Sequence, residues 1–565
     1  MGLINGSLQI GRSAIMAHQS AMQAIGNNIA NAGNTNYTRQ TPHLSSVPGS
    51  RLDGGAGVLL TGIERQIDAA IEQRLRTGWS DKSYDQMMSD YLARMETLYN
   101  EMTTNDISTG LSAFFNSFSA LQINPEDGTA RSSVIHEAQS LIDQIQSLRK
   151  DLVGLYTELT DSTIESVDGI NKITKQIADL NVRIAQATST GVGTGSLLDQ
   201  RDALLKELSE FADILAIDQP NGTVTVYMDT DPLVQYDQAR ELKIEKVAEG
   251  DVVVPKVYFA DTGKETHIQG GRAGAVDDLI HQIVRGNLND LDTLAAGLIF
   301  EVNKLHSSGQ GLHGYTQVFS SNRVTDSHAA LNNAGLPFKP VNGSFMITVK
   351  DATTHPPTET VTQINVNLSG MGVPTTLAEL AAQINAVGNI KAEISPDGRL
   401  KLSSTSENYT FTFNDDTSNV LACLGINGFF TGTNASNIAV NSDLTADPQL
   451  VACGKSNTPL PGNSTNAELI SKLPITESAM LGGMSITEYY RNLVGRLGTQ
   501  TATSNQKLEV HTAIVESLQA QRDAISGVSL DEETINLMSN QRAFQGSAKF
   551  ITVVNQLLQT VLDLI

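Results

Sequence analysis

Both ends of the chain repeat a large apolar residue every seven positions, a period that commits each end to a helix in need of a partner. Leu8, Ile15, Met22 and Ile29 mark one stripe. Leu537, Phe544, Ile551, Leu558 and Ile565 mark the other, with Val554 and Val561 at the companion positions of a seam. A stripe this narrow buries too little surface to hold an isolated helix, so residues 1–50 and 537–565 are expected to take their order from packing. The first helix is also almost uncharged: no Asp or Glu precedes Asp53 and no Lys precedes Lys82, although 61 of the 565 residues are acidic. Ser529 and Glu532 fit a capping box, which puts the start of the last helix near Leu530. All eleven stripe residues are read as assembly contacts, because an apolar helix face with nothing over it needs a partner.

Between these ends the period changes twice. Leu141, Ile145, Leu148, Leu152, Leu155 and Leu159 alternate spacings of four and three, as do Ile170, Ile173, Ile177, Leu180 and Ile184, and both runs predict long rod-like helices. A Gly-rich break from Thr188 to Ser196 precedes another amphipathic helix, LLDQRDALLKELSEF. Its glycines resemble a phosphate loop only superficially, since no Gly-Lys-Ser/Thr follows and no apolar strand precedes. From about Pro220 the period becomes two: Val224, Val226 and Met228 fall on one face, and SFMITV, TQINVNL and GRLKL repeat the pattern. Pro396-Asp397-Gly398 is hairpin chemistry. Helices are expected inside this region at 277–304 and 377–384, and helical periodicity returns over 486–524.

The order helix, β, helix defines an α+β multidomain chain, with terminal coiled-coil and helical-bundle domains and β-rich domains inserted between them. The expected boundaries are 1–55 with 526–565 for the terminal coiled coil, 56–220 with 480–525 for a helical rod, 221–330 for a β-rich domain with a helix, and 331–479 for an outer β-rich domain. A net charge of −23 opposes binding to nucleic acid or to an anionic membrane. No apolar run approaches the roughly 18 to 20 residues of a membrane span. The first residues lack the basic cluster and apolar core of a cleavable secretory signal, so export, if it occurs, is expected by another route. Cys423 and Cys453 are too few for a disulfide framework; buried free thiols are the plainer reading, and one bridge between them stays open.

Two segments carry a resemblance. Ile25-Gly26-Asn27-Asn28-Ile29-Ala30-Asn31-Ala32, followed by Tyr37-Thr38-Arg39-Gln40, resembles the signature of flagellar rod, hook and hook-associated proteins. Asn36 stands where that family usually has Gly, and Asn tolerates the left-handed region, so the turn is expected to survive. Glu64-Arg65-Gln66-Ile67-Asp68, the stretch from Leu111 to Leu141 with its Pro-Glu-Asp-Gly, LLDQRDALLKELS from Leu197, VNKLHSSGQGLHG from Val302, LGINGFFTG from Leu424 and the run from Ser539 to Ile565 are similar, in this order, to the FlgK family of hook-associated proteins.

That resemblance implies a structural subunit joining hook to filament outside the cell. It implies terminal helices in the core of the axial tube, a helical domain around them and β domains facing outward. The implied partners are further copies of the chain in a ring or helical layer, hook protein, the second junction hook-associated protein, and an export chaperone with the flagellar type III export apparatus. Its motif-loop residues are Asn27, Asn28, Asn31, Tyr37, Arg39 and Gln40.

Nothing in the sequence asks for an enzyme, cofactor or metal. The closest histidines, His306 and His313, lack the spacing of a metal-binding helix face, no Gly-x-Ser-x-Gly elbow occurs, and Asp229-x-Asp231 and Asp415-Asp416 do not make a calcium loop. Trp79, Phe114, Phe115 and Phe118 read as core or subunit contacts. The alternatives are a hook protein or flagellin-like filament subunit, and a secreted glycan-acting protein, which would require converging carboxylates or aromatics in a pocket.

Overall fold

The computed structural model describes residues 2–48, 57–99, 106–190, 193–368, 373–455 and 462–563. Contacts divide the chain into two compact units, one formed by residues 1–91, 157–280 and 502–565, the other by residues 92–156 and 281–501.

In the first unit the N-terminal helix, Gly2–Ala30, packs antiparallel against the C-terminal helix, Leu530–Asp563. Asn28 meets Glu533, His18 Nδ1 lies 2.9 Å from Asn540 Oδ1, and Gly11 abuts Ile551. Small residues permit the approach: a Cβ on Gly11 would stand 2.5 Å from Ile551 Cγ1, and Ala17, Ala21 and Ala24 are buried. An antiparallel ribbon, Gln40–Ser46 with Val58–Arg65, follows the first helix.

The 63-residue helix Gly128–Thr190 buries every one of the expected positions from Leu141 to Ile184. Its Ile170, Ile173 and Ile177 join Leu205, Leu208 and Phe211 of helix Gly195–Phe211 and Val224, Val226 and Met228 of a four-stranded antiparallel sheet in one core. Two asparagines of the long helix serve strand ends as a neighbouring strand would. Asn181 accepts from Val224 N at 2.9 Å and donates to Val224 O at 2.8 Å, and Asn171 does the same for Leu242 at 2.8 Å each. A buried strand end is thereby satisfied without another strand.

In the second unit, strand Gly343–Asp351 lies between Thr358–Val366 and Tyr409–Asn414. A second sheet pairs Ile390–Ile394 with Leu400–Ser404 across the expected Pro-Asp-Gly turn, where Gly398 takes φ +84°. The motif blocks that begin at Val302 and at Leu424 meet here in a buried polar knot. Asn303 Nδ2 donates to Phe430 O at 2.8 Å, and Asn427 Nδ2 donates to the carbonyls of His306, Ser307 and Gly309. Beside it Phe114, Phe118, Phe429 and Phe430 pack with ring centroids 4.8 to 5.7 Å apart. Cys423 and Cys453 are buried free thiols, and burial pushes them up to about 12 and about 11. The helix expected at 277–304 is longer and passes through a π-helical turn at Leu279–Val284 before continuing as Arg285–His306.

Candidate functional site

The motif loop folds into a clamp between the two chain ends, within the first unit. Asn28, 1 % exposed near the end of the N-terminal helix, uses its full hydrogen-bonding capacity. Its Nδ2 donates to Gln40 O and to Glu533 Oε2, both at 2.8 Å, while its Oδ1 accepts from the Tyr37 hydroxyl at 2.8 Å and from Gln40 N at 3.0 Å. Arg39 forks across the start of the C-terminal helix, with Nε and Nη2 on Glu533 at 2.9 and 2.8 Å and Nη1 on Glu532 at 2.9 Å. Arg39 N donates to Ser526 O at 2.9 Å, fixing the loop against the turn between the last two helices. Burial, with the charges of Asp199 and Glu533 nearby, pushes the Tyr37 hydroxyl up to about 12. It therefore remains a donor to Asn28 at any physiological pH.

The capping box forms only in half. The C-terminal helix begins at Leu530, and Glu532 N donates to Ser529 Oγ at 3.4 Å, but the Glu532 carboxylate goes to Arg39 instead of back to the cap. Asn36 keeps a negative φ, and its N–H donates to Asn34 Oδ1 at 3.1 Å, so the loop needs no left-handed residue before Tyr37. Asn31 closes the first helix, its N and Nδ2 both donating to Asn27 O; the Asn27 side chain is exposed. Other motif blocks converge on the same loop. Arg65 pairs with Asp199 at 3.0 Å and with Asp202, and its Nη2 donates to Thr38 Oγ1 at 3.2 Å.

The stripe residues take different places. Leu8, Ile15, Met22 and Ile29 of the first helix and Leu537, Phe544, Ile551 and Leu558 of the last are half-buried, Val554 is buried, and Val561 is exposed. Ile565 lies outside the described residues. On the other side of the C-terminal helix a second apolar row stands outward: Ile535, Met538, Val553, Leu557 and Val561, with Leu557 58 % exposed, while the Phe550 ring reaches back toward Gly11 of the first helix. At 100° per residue this row is centred opposite Leu537, Phe544 and Ile551. A count by sevens finds only Val561 of this row, because its members step by three and four around Arg542 and Gly546. Glu533 was also hidden from the sequence reading, which singled out its neighbour Glu532; nothing local marks it as the carboxylate that turns inward. Among the described residues no helix is long and apolar enough to cross a membrane.

Comparison with known proteins follows the same lines. The FlgK helical-domain model of flagellar hook-associated proteins matches residues 92–318, and the C-terminal model of flagellar basal body rod FlgEFG proteins matches residues 519–564. Flagellar hook-associated protein 1 of Escherichia coli K12 is 26 % identical over 580 residues, covering 100 % of this chain and 99 % of its own length. The protein of the same name from Bacillus subtilis 168 is 23 % identical, covering 98 % and 97 %. The structure of the flagellar hook junction protein FlgK from Burkholderia pseudomallei shares the fold at 15 % identity and a TM-score of 0.50, over 80 % of this chain and 100 % of that one. The class these comparisons point to is that of flagellar axial proteins. Within it, the chain is similar to the FlgK family of flagellar hook-associated proteins, whose helical-domain model it matches over residues 92–318.

Proposed function

We propose that this chain is a structural subunit of the bacterial flagellum that joins hook to filament, at the hook-filament junction outside the cell. The observation that carries the reading is the closure of one chain end on the other by Asn28, Arg39 and Glu533, which leaves the apolar row of the C-terminal helix facing away from its partner. A row of large apolar side chains at helical spacing gains about 1.5 to 3 kcal/mol for each one that a neighbouring subunit covers. Copies of the chain assemble through this helix pair into a ring or helical layer. Hook protein lies on one side, the second junction hook-associated protein on the other, and subunits arrive by type III export with a dedicated chaperone. In this reading residues 1–55 with 526–565 line the tube, 56–220 with 480–525 form the rod around it, and 221–330 and 331–479 face outward. No catalysis, cofactor, metal, nucleic acid or membrane is assigned to it.

Addition of purified protein to filament-less hooks tests the reading. Leu557→Asp puts an unpaired charge on the outward row, where covering it is costly, and is expected to give a folded monomer that does not join hooks. Leu558→Asp, on the half-buried side, should weaken both the helix pair and joining, whereas exposed Gln559→Asp should join as wild type does. Joining by Leu557→Asp at the wild-type level would overturn the assembly face. Loss of the hook itself in a deletion strain, instead of loss of the filament alone, would overturn the junction role in favour of hook protein.

A further inference from the structure

One sheet of the second unit leaves an edge open. Strand Thr358–Val366 ends that sheet and pairs on one side only, with Gly343–Asp351. The central strand decides which backbone groups look outward. Ser344 N donates to Thr417 Oγ1 at 3.0 Å and Ser344 O accepts from Thr417 N at 2.9 Å, on the flank of Tyr409–Asn414. Ser344, Met346, Thr348 and Lys350 therefore bond toward that flank, and Phe345, Ile347 and Val349 bond toward Ile364, Thr362 and Thr360. By alternation Glu359, Val361, Gln363 and Asn365 turn their N–H and C=O groups away from the sheet. Asn365 shows this directly: its N–H donates to Gln383 Oε1 of helix Leu377–Asn385 at 3.2 Å.

The open stretch has definite ends. Pro356 and Pro357 precede the strand and carry no N–H, and Gln383 covers Asn365. Between them Glu359, Val361 and Gln363 present three N–H and three C=O groups that nothing among the described residues takes. Edge strands are ordinarily guarded by lysine, proline, a bulge or brevity. Here the nine-residue pairing runs without a shift, no lysine lies in the strand, and Val361, at the centre of the open stretch, is 59 % exposed.

The edge complements itself. Laid antiparallel about a two-fold axis at Val361, a second copy puts Val361 opposite Val361 and Glu359 opposite Gln363, and every outward group of the stretch is bonded. The facing side chains are then valine with valine and a carboxylate with a carboxamide, with no like charges opposed. Sliding the axis one residue toward the N-terminus brings Gln363 opposite Pro357, which has no N–H; one residue the other way brings Glu359 opposite Asn365, whose N–H is already taken. Only the axis at Val361 satisfies all the groups. We propose that Thr358–Val366 is a self-pairing edge through which two copies of this chain join their sheets. The pairing does not rest on the junction reading. A polar ring or layer sets all copies the same way, so a two-fold pair belongs to the free subunit.

Two cysteine variants of the full-length protein separate this pairing from chance collision. Opposed residues of a hydrogen-bonded antiparallel pair stand about 5.5 Å apart at Cα, within disulfide reach, whereas the two copies of residue 359 would stand roughly 14 Å apart, beyond the ~7 Å limit. Cys423 and Cys453 are buried, so the introduced thiol is the exposed one. Under copper-phenanthroline oxidation Val361→Cys should give a disulfide-linked dimer and Glu359→Cys should stay monomeric. Sedimentation of the wild type in a dilution series should show a monomer-dimer equilibrium, and Val361→Lys, which sets two ammonium groups face to face, should weaken it at least about tenfold. The Val361 side chain is exposed and its N–H lies outside the sheet's own ladder, so these variants should keep the fold, which far-UV circular dichroism checks. Equal cross-linking of the two cysteine variants, or none by Val361→Cys, overturns the proposal. So does a wild type that is monomeric at the cross-linking concentration, or a dimer that Val361→Lys leaves unchanged.

Discussion

Glu532 and Glu533 are neighbours that both meet Arg39, yet removing them should have very different consequences. The Glu533 side chain is 2 % exposed and serves the buried Asn28 as well as two guanidinium nitrogens. Glu533→Ala strands one Asn28 donor and two Arg39 donors away from water. Breaking a buried pair by deleting one partner costs about 3 to 5 kcal/mol, and because Arg39 keeps Glu532 and is itself 23 % exposed the expectation here is reduced to about 2 to 4 kcal/mol. The Glu532 side chain is 61 % exposed, so Glu532→Ala removes a surface pair worth ~0 to 1 kcal/mol. Hydrogen exchange of the amides in residues 10–30 and 535–555 reads the difference locally. At tenfold per ~1.4 kcal/mol, Glu533→Ala should speed exchange there by roughly thirtyfold to several hundredfold, and Glu532→Ala by about fivefold or less. Glu533→Gln should fall between, since its amide oxygen still accepts from Asn28. Equal effects of the two alanine variants, or no change in either helix, would show that the clamp does not hold the ends together.

Four further outcomes follow from the geometry. His306 is fully buried, its Nδ1 2.8 Å from Asn427 O and its Nε2 accepting from Ala452 N at 2.9 Å, and burial lowers it to about 4 from an ordinary value near 6.5. Between those values the unfolded chain binds more protons, so stability is complete above about pH 6.5 and falls by up to ~3 kcal/mol as pH drops to 4; urea midpoints across this range should flatten in His306→Gln. Gly11→Val should overpack the helix pair against Ile551 at a cost of about 1 to 3 kcal/mol, read as faster exchange in both terminal helices. Excision of residues 342–417 should give a folded protein that still joins hooks, because Val341 N donates to Ser418 O at 2.9 Å and the cut ends already meet. A longer excision of Gly343–Asn434 removes Phe429 and Phe430 from the aromatic core and should unfold the second unit, visible as lost near-UV ellipticity.

What the sequence showed in advance was local. The long helix, the start at Leu530, the Pro-Asp-Gly hairpin and the inward face of Val224, Val226 and Met228 each follow from spacing within one element, and spacing is what periodicity measures. Counting large residues marks only one side of the contact between the terminal helices. Ile551 of the stripe lies against Gly11, and Ala17, Ala21 and Ala24, which carry little hydropathy, are buried on the same helix. The inward turn of Glu533 depends on Asn28 and Arg39, far along the chain, and has no local mark. Asn171 and Asn181 sit among the polar positions of a helix whose apolar stripe was read correctly; their use as substitutes for a strand emerges only once sheet and helix are side by side.

The contact between Asn28 and Glu533 closes across 505 sequence positions. Loop-closure entropy rises by only about 0.6 kcal/mol for each doubling of length, yet against a ten-residue turn a span of that size adds roughly 3 kcal/mol if the chain between is uncoiled. Folding of the intervening segments shortens the effective loop and removes much of that cost, so the inserted units should fold first and the ends should dock last. A chain broken anywhere before Glu533 has no means of completing the coordination of Asn28. The clamp therefore closes only in a chain that carries both Asn28 and the start of the last helix at Glu533.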